Sequence, residues 1–225
     1  MESIHKKPRK GILSFFLLIV FAVGSCLGFY IRDNYSTITP VVKADTLVSE
    51  KIRQAELTIV QLDLKEYTFL STDMKDNMAR AIDTASKTYR IPVGLLHAIL
   101  RIESGYQFQI DHPTVTIRVH GKLIKTHARG CGGIIWEIWA DTLVAHGIAT
   151  APSDLYVPEK NILATACILR ITTNQALSEK PTSSSVIREV IRRYFGAYSP
   201  AYEARMSQVM TDLWLKRISR DLLTE

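Results

Sequence analysis

Glu103 is an acid in surroundings that should strip it of water. The run from Ile91 to Gly105 reads as one helix. At about 100° per residue, Val93, Leu95, Leu96, Ile99, Leu100 and Ile102 fill one half of the helical wheel, while Gly94, His97, Ala98, Arg101 and Ser104 fill the other. Glu103 falls near the middle of the apolar half. An ionised carboxylate buried without partners is so costly that it usually takes up a proton instead. A carboxylic acid that stays protonated near neutral pH can hand that proton to a leaving group. The competing expectation is that Glu103 ends the helix and its last turn opens into solvent.

The other reactive residue types form no comparable site. Asp111, Glu137 and Asp141 are the nearest other acids in sequence, and the i,i+4 spacing of Glu137 and Asp141 suits a shared exposed helix face. His97, His112, His120, His127 and His146 make no H-x-x-x-H pair and no H-E-x-x-H motif, so no metal site and no cofactor is expected. No Ser-His-Asp set and no glycine-rich phosphate loop stands out. Cys131 lies in a glycine-rich loop and Cys167 on a helix; they can form one disulfide in an oxidising compartment or stay as a free thiol beside a small buried hydrophobe.

Several elements must position Glu103. Asp45 to Leu64 can be helical, with Leu47, Ile52, Ala55, Ile59 and Leu62 as an irregular stripe, and would serve as a stalk or a packing helix. From Ser71, the residues Met74, Met78, Ala81, Ile82, Ala85 and Tyr89 recur at helical spacing, with Asp73 near the start and Lys87 and Arg90 near the end. Pro92 opens the Glu103 helix and Ser104-Gly105 closes it. Val115, Ile117 and Val119 then alternate with Thr116, Arg118 and His120, and Leu123 to His127 follow, predicting a β-hairpin turning at Gly121-Lys122. Arg129-Gly130-Cys131-Gly132-Gly133 is a tight loop. Further helices are expected over Ile134 to His146, from Pro158 to Leu177, from Ser185 to near Gly196, and from Ser199-Pro200 onward. The fold class is mainly α with one small hairpin.

Composition sets the location. Apolar residues make up 47% of the chain, which suits a packed core and excludes a disordered protein. The formal net charge is +6, but residues 1–32 hold a net +4 and residues 33–225 only +2, so nucleic acid is not the expected partner. Gly11 to Ile31 is a run of 21 residues without charge; as a helix it would span about 31 Å, the thickness of a hydrocarbon core. His5 to Lys10 precedes it and Arg32-Asp33 follows, which places the amino terminus in the cytoplasm and the rest outside. The expected organisation is a basic tail (1–10), a transmembrane anchor (11–31), a linker or stalk helix (32–70) and a main domain that carries Glu103 (71–225). A cleaved signal peptide is one alternative. A lipoprotein is another, because Val23-Gly24-Ser25-Cys26 looks like a lipobox, although Leu27, Phe29, Tyr30 and Ile31 carry the apolar run past Cys26.

The order of motifs resembles a known family. Ile102-Glu103-Ser104-Gly105-Tyr106 is similar to the E-S-G-aromatic signature of lytic transglycosylases of the soluble-lytic-transglycosylase type. Gly133-Ile134-Ile135-Trp136 stands where that family has G-L-M-Q, Tyr156-Val157-Pro158-Glu159-Lys160-Asn161-Ile162 resembles its D-P-E-x-N-I segment, and Arg193-Tyr194-Phe195-Gly196 its A-Y-N-A segment. The resemblance covers roughly residues 75–212. It implies a lysozyme-like helical domain that cleaves peptidoglycan, the glycan strand of the bacterial wall, from the periplasmic side of the inner membrane. It implies Glu103 as sole acid and base, with Ser104, Gly133, Ile135, Trp136 and Tyr194 as substrate-binding residues. The Tyr194 hydroxyl is expected near the Glu103 carboxyl. Membrane-tethered relatives suggest a partner among secretion, conjugation or other envelope-spanning machines.

Three departures bear on activity. Trp136 replaces the family glutamine and Phe195 its asparagine, and the stretch between Glu103 and Gly133 is lengthened by the hairpin. Two rivals therefore stand beside the enzyme: a non-catalytic peptidoglycan-binding module with the same fold, and a hydrolytic muramidase of the lysozyme type.

Overall fold

The computed structural model describes residues 44–178, 183–196 and 199–223. The basic tail, the apolar run Gly11 to Ile31 and Cys26 lie outside them. Among the described residues no helix is long and apolar enough to cross a membrane. The described residues form seven α-helices and one two-stranded sheet, a mainly helical body: α1 (Ala44–Lys65), α2 (Thr72–Tyr89), α3 (Val93–Ser104), β1 (Val115–Val119), β2 (Lys122–Thr126), α4 (Trp136–Ala145), α5 (Pro158–Ser178), α6 (Ser183–Phe195) and α7 (Pro200–Leu223). A short 3-10 turn, Pro152–Tyr156, leads into α5.

The helix boundaries follow local chemistry. Ser71 caps α2, its hydroxyl oxygen accepting from the Met74 amide at 3.2 Å. Arg90 ends α2 in the left-handed region, and Gly105 ends α3 the same way. Ser199 caps α7 by accepting from the Tyr202 amide at 3.2 Å.

α3 is the axis of the fold, touching α1, α2, α5 and α7. The wheel divides it into an apolar half and a half that holds the polar residues, and the structure buries most of both. Gly94, His97, Ala98 and Ser104 are buried along with the apolar residues. The reason is α1, which is a packing helix and not a stalk. It buries Ile59, Val60, Asp63 and Leu64 against the body and leaves Leu62, one of the expected stripe residues, exposed. Gly94 receives α1 closely, its amide donating to a Glu56 carboxylate oxygen at 3.3 Å.

The polar half of α3 is satisfied by one buried acid. Asp63 is fully buried, with His97 Nε2 3.0 Å from one carboxylate oxygen. Arg101 donates to the other at 3.2 Å, and Lys216 of α7 pairs with it too while also reaching Glu66 at 2.7 Å. Burial alone would raise the Asp63 pKa, but the contacts from His97 and Lys216 and the charge of Arg101 outweigh it and hold it at about 2. Tyr106, also fully buried, bonds through its hydroxyl to His97 Nδ1. The knot ties α1, α3 and α7 together.

The hairpin forms, with its turn one residue earlier than the sequence suggests. Val119 pairs with Lys122, so His120 and Gly121 make the turn, at φ 47° and 81°. Two successive positive φ values match the right-handed twist of the flanking strands, and histidine is among the residues that tolerate one. Cys131 and Cys167 are both free, buried thiols and belong to different core clusters, so no disulfide joins them. Cys131 packs beneath α3, whereas Cys167 sits with Ile134, Leu143, Leu155 and Ile168 under α4.

Candidate active site

Glu103 occupies the last turn of α3, and three elements from distant parts of the chain close around it. From α7, Tyr202 donates its hydroxyl to Glu103 Oε1 at 2.6 Å. One turn further, Arg205 donates to the Ile102 carbonyl at 3.2 Å, which brings its charge toward the carboxyl. The Tyr202 ring lies against Phe195 at the end of α6, with ring centroids 4.6 Å apart.

The third element is the glycine loop between β2 and α4. Gly133 has φ 64°, and a β-carbon there would stand 2.6 Å from Glu103 Oε2. Only glycine allows both the backbone turn and this approach. Gly132 is equally confined, since its β-carbon would meet the Thr165 hydroxyl at 1.9 Å. Asn161 of α5, buried, organises the loop. Its amide nitrogen donates to the carbonyls of Leu155 at 2.7 Å and Arg129 at 3.1 Å, and its oxygen accepts from the Gly132 amide at 2.7 Å. Arg129 and Ile134 exchange backbone hydrogen bonds of 2.9 and 3.1 Å across the loop's base.

The electrostatics follow from this enclosure. Loss of water raises the Glu103 pKa, while the Tyr202 bond and the Arg205 charge pull it down; the result is about 7. Glu103 thus titrates near neutral pH, far above an exposed glutamate. Tyr202 is pushed far up, first by burial and then by the Glu103 charge, and Tyr194 likewise, so both phenols remain neutral donors.

Among the residues singled out by sequence, Gly133 meets the Glu103 carboxyl and the others take different places. The Tyr194 hydroxyl donates to the Gly132 carbonyl at 2.6 Å, and Tyr202 makes the bond to the acid that Tyr194 was expected to make. Ser104 is buried and donates to the Cys131 carbonyl at 3.0 Å, so it fastens the loop from beneath. Ile135 is the N-cap residue of α4. Trp136, half-buried, packs on the second core cluster beside Trp139. Phe195 is 46% exposed and covers Tyr202.

The other acids are engaged elsewhere. Glu137, expected on an exposed face with Asp141, turns toward the hairpin instead. It accepts from Thr126 at 2.6 Å and from both terminal nitrogens of Arg129 at 3.2 and 3.3 Å. Burial pushes its carboxyl up, but these donors win and lower it. Asp111 takes the Tyr156 hydroxyl and lies 3.1 Å from His127 Nε2, and Asp141 is exposed. Among the described residues no three histidine, cysteine or acidic side chains gather as a metal site.

Tyr202, Arg205 and Asn161 are the site residues that sequence reasoning did not single out. Tyr202 falls within the helix expected from Ser199-Pro200 onward, and a tyrosine in the first turn of a capped helix was the available signal. The site is therefore one shielded carboxyl with a raised pKa, a phenol donor on one oxygen and bare backbone at the other. That arrangement can donate a proton and take one back.

No protein-family model, curated protein or solved structure matches the chain.

Proposed function

We propose that this protein is a lytic transglycosylase that cuts peptidoglycan glycan strands. Its amino-terminal apolar run would anchor it in the inner membrane of a bacterium, with the helical body in the periplasm. Glu103 protonates the glycosidic oxygen between N-acetylmuramic acid and N-acetylglucosamine. As a carboxylate it then removes the proton of the muramic C6 hydroxyl, which attacks C1 and closes a 1,6-anhydro ring. The substrate's own N-acetyl group assists, so one carboxyl suffices, an exception to the two-carboxylate scheme of most glycosidases.

The observation that carries this reading is the Glu103 carboxyl itself, shielded by Gly133 and bonded by Tyr202, with a pKa near neutrality. Such a group serves equally as acid and as base. The engagement of Asp111 and Glu137 elsewhere favours this reaction over hydrolysis, which needs a second carboxylate to activate water. A secretion, conjugation or other envelope machine is the proposed setting. The test is digestion of purified sacculi by the full chain, with mass spectrometry of the products and Glu103→Gln as control. Anhydromuropeptides that vanish in the variant support the enzyme. Reducing-end products would assign a hydrolase, and binding without products would assign a scaffold module.

A further inference from the structure

The β1–β2 ribbon has no role in the chemistry above, and its surface is unusual. From His112 to Trp136 the chain carries Arg118, Lys122, Lys125 and Arg129 and not one acid. Arg129 is neutralised at the ribbon's foot by Glu137. Arg118, Lys122 and Lys125 are exposed, and among the described residues none pairs with a carboxylate; Arg118 donates only to the Gly121 carbonyl, at 3.0 Å. The ribbon makes only scattered contacts with the helices, and at five residues per strand it projects about 17 Å.

The two faces of the ribbon differ. One carries Val115, Ile117 and Val119 opposite Thr126, Ile124 and Lys122, and leans on the body through Thr126, which is buried against Glu137. The other carries Thr116 and Arg118 opposite Lys125 and Leu123, all exposed. In this register Arg118 and Lys125 are diagonal cross-strand neighbours, with side chains rooted about 7–8 Å apart. Like charges at that spacing repel, and a carboxylate between them converts the repulsion into two attractions.

We propose that this open face, centred on Arg118 and Lys125, is a docking surface for the anionic peptide stems of peptidoglycan, whose free carboxylates complement its charge. The inference rests on the wall-cleaving reading and adds a second point of grip to it. The foot of the ribbon continues through Arg129 into the loop whose Gly133 touches Glu103, so a stem held on the ribbon belongs to the strand region presented to the acid. The charged side chains also oppose simple strand addition by another protein, because cations on an edge discourage pairing. An anionic lipid surface is the less fitting source, since the face offers one large apolar side chain, Leu123, and no aromatic ring.

The test uses the full chain in detergent micelles with Arg118→Gln and Lys125→Gln combined; both side chains are exposed, so the fold is untouched. Binding is measured to intact sacculi and to sacculi stripped of stems by an amidase. Losing two exposed charge pairs should weaken binding to intact sacculi about tenfold at low salt, with the difference fading as salt rises. Binding to stripped sacculi should be the same for both proteins. Equal binding to intact sacculi, or equal loss on both substrates, overturns the proposal. So does a variant that binds sacculi normally but loses a salt-sensitive association with phosphatidylglycerol headgroups that the native chain shows when that lipid is added to its micelles, which reassigns the ribbon to lipid. Stem-dependent binding with no anhydro products from the native chain leaves the ribbon's role standing and removes the lyase reading. Products with no ribbon dependence do the reverse.

Discussion

Tyr202→Phe isolates one hydrogen bond at the proposed acid. The phenol donates to Glu103 Oε1 at 2.6 Å and favours the ionised carboxyl. Its ring packs on Phe195, and phenylalanine keeps that contact. A hydrogen bond to a charged group contributes about 1.5–3 kcal/mol, and one decade in an ionisation constant is about 1.36 kcal/mol. Part of that bond survives when Glu103 is protonated, so the net rise should be about one pH unit. The sign is fixed: removing a donor that stabilises the carboxylate raises the pKa. If Glu103 must be protonated to start the reaction, the alkaline limb of kcat/KM against pH moves upward from about 7 by that amount. The assay is release of soluble muropeptides from sacculi between pH 5 and 9, with Tyr194→Phe in parallel. The Tyr194 hydroxyl contacts the Gly132 carbonyl and should leave that limb in place. An unmoved or downward-moving limb in Tyr202→Phe, or the same shift in both variants, refutes the electrostatic assignment.

Three other perturbations have defined outcomes. Because the folded pKa of Glu103 is raised from 4.5 to about 7, the native state holds more protons than the unfolded chain in that window, and this acid lowers stability as pH climbs through it. Glu103→Gln should therefore gain about 2–3 kcal/mol over the native chain at pH 8 and little at pH 4, read from urea midpoints at both. Gly133→Ala forces a left-handed alanine against Glu103 Oε2; a loss of about 1–3 kcal/mol should appear in thermal melts, with muropeptide release falling more than the lost stability explains. Asp63→Asn strands Arg101 and Lys216 beside a neutral amide; breaking a buried ion pair costs about 3–5 kcal/mol, and the urea midpoint should fall accordingly.

The acid was legible in the sequence because a single wheel placed Glu103 among apolar residues, and its local cap, Gly105, marked the helix end. Most helix boundaries were legible for the same reason: Ser71, Pro92, Pro158 and Ser199 act on their own neighbours. What lay beyond local reading came from afar. The wheel could not say what covers the polar half of α3, because the cover is Asp63, 34 residues before His97. A helix that buries an acid shows a broken apolar stripe, so the sequence left α1 as either a stalk or a packing helix. Tyr202 and Tyr194 are both helical tyrosines near the chain's end, and no spacing rule says which reaches an atom of Glu103. The hairpin turn slipped by one residue because His120-Gly121 and Gly121-Lys122 each contain the glycine, and only strand twist decides between them.

Two of the groups that meet Glu103 lie far beyond it in the chain. Tyr202 and Arg205 sit 99 and 102 residues after it. A ribosome releases α3 and the glycine loop well before α7, so until α7 docks the carboxyl lacks the phenol and the guanidinium that favour its ionised form in the finished fold. A polypeptide cut short of α7 therefore carries Glu103 without its donor, and the site is complete only once α7 has packed.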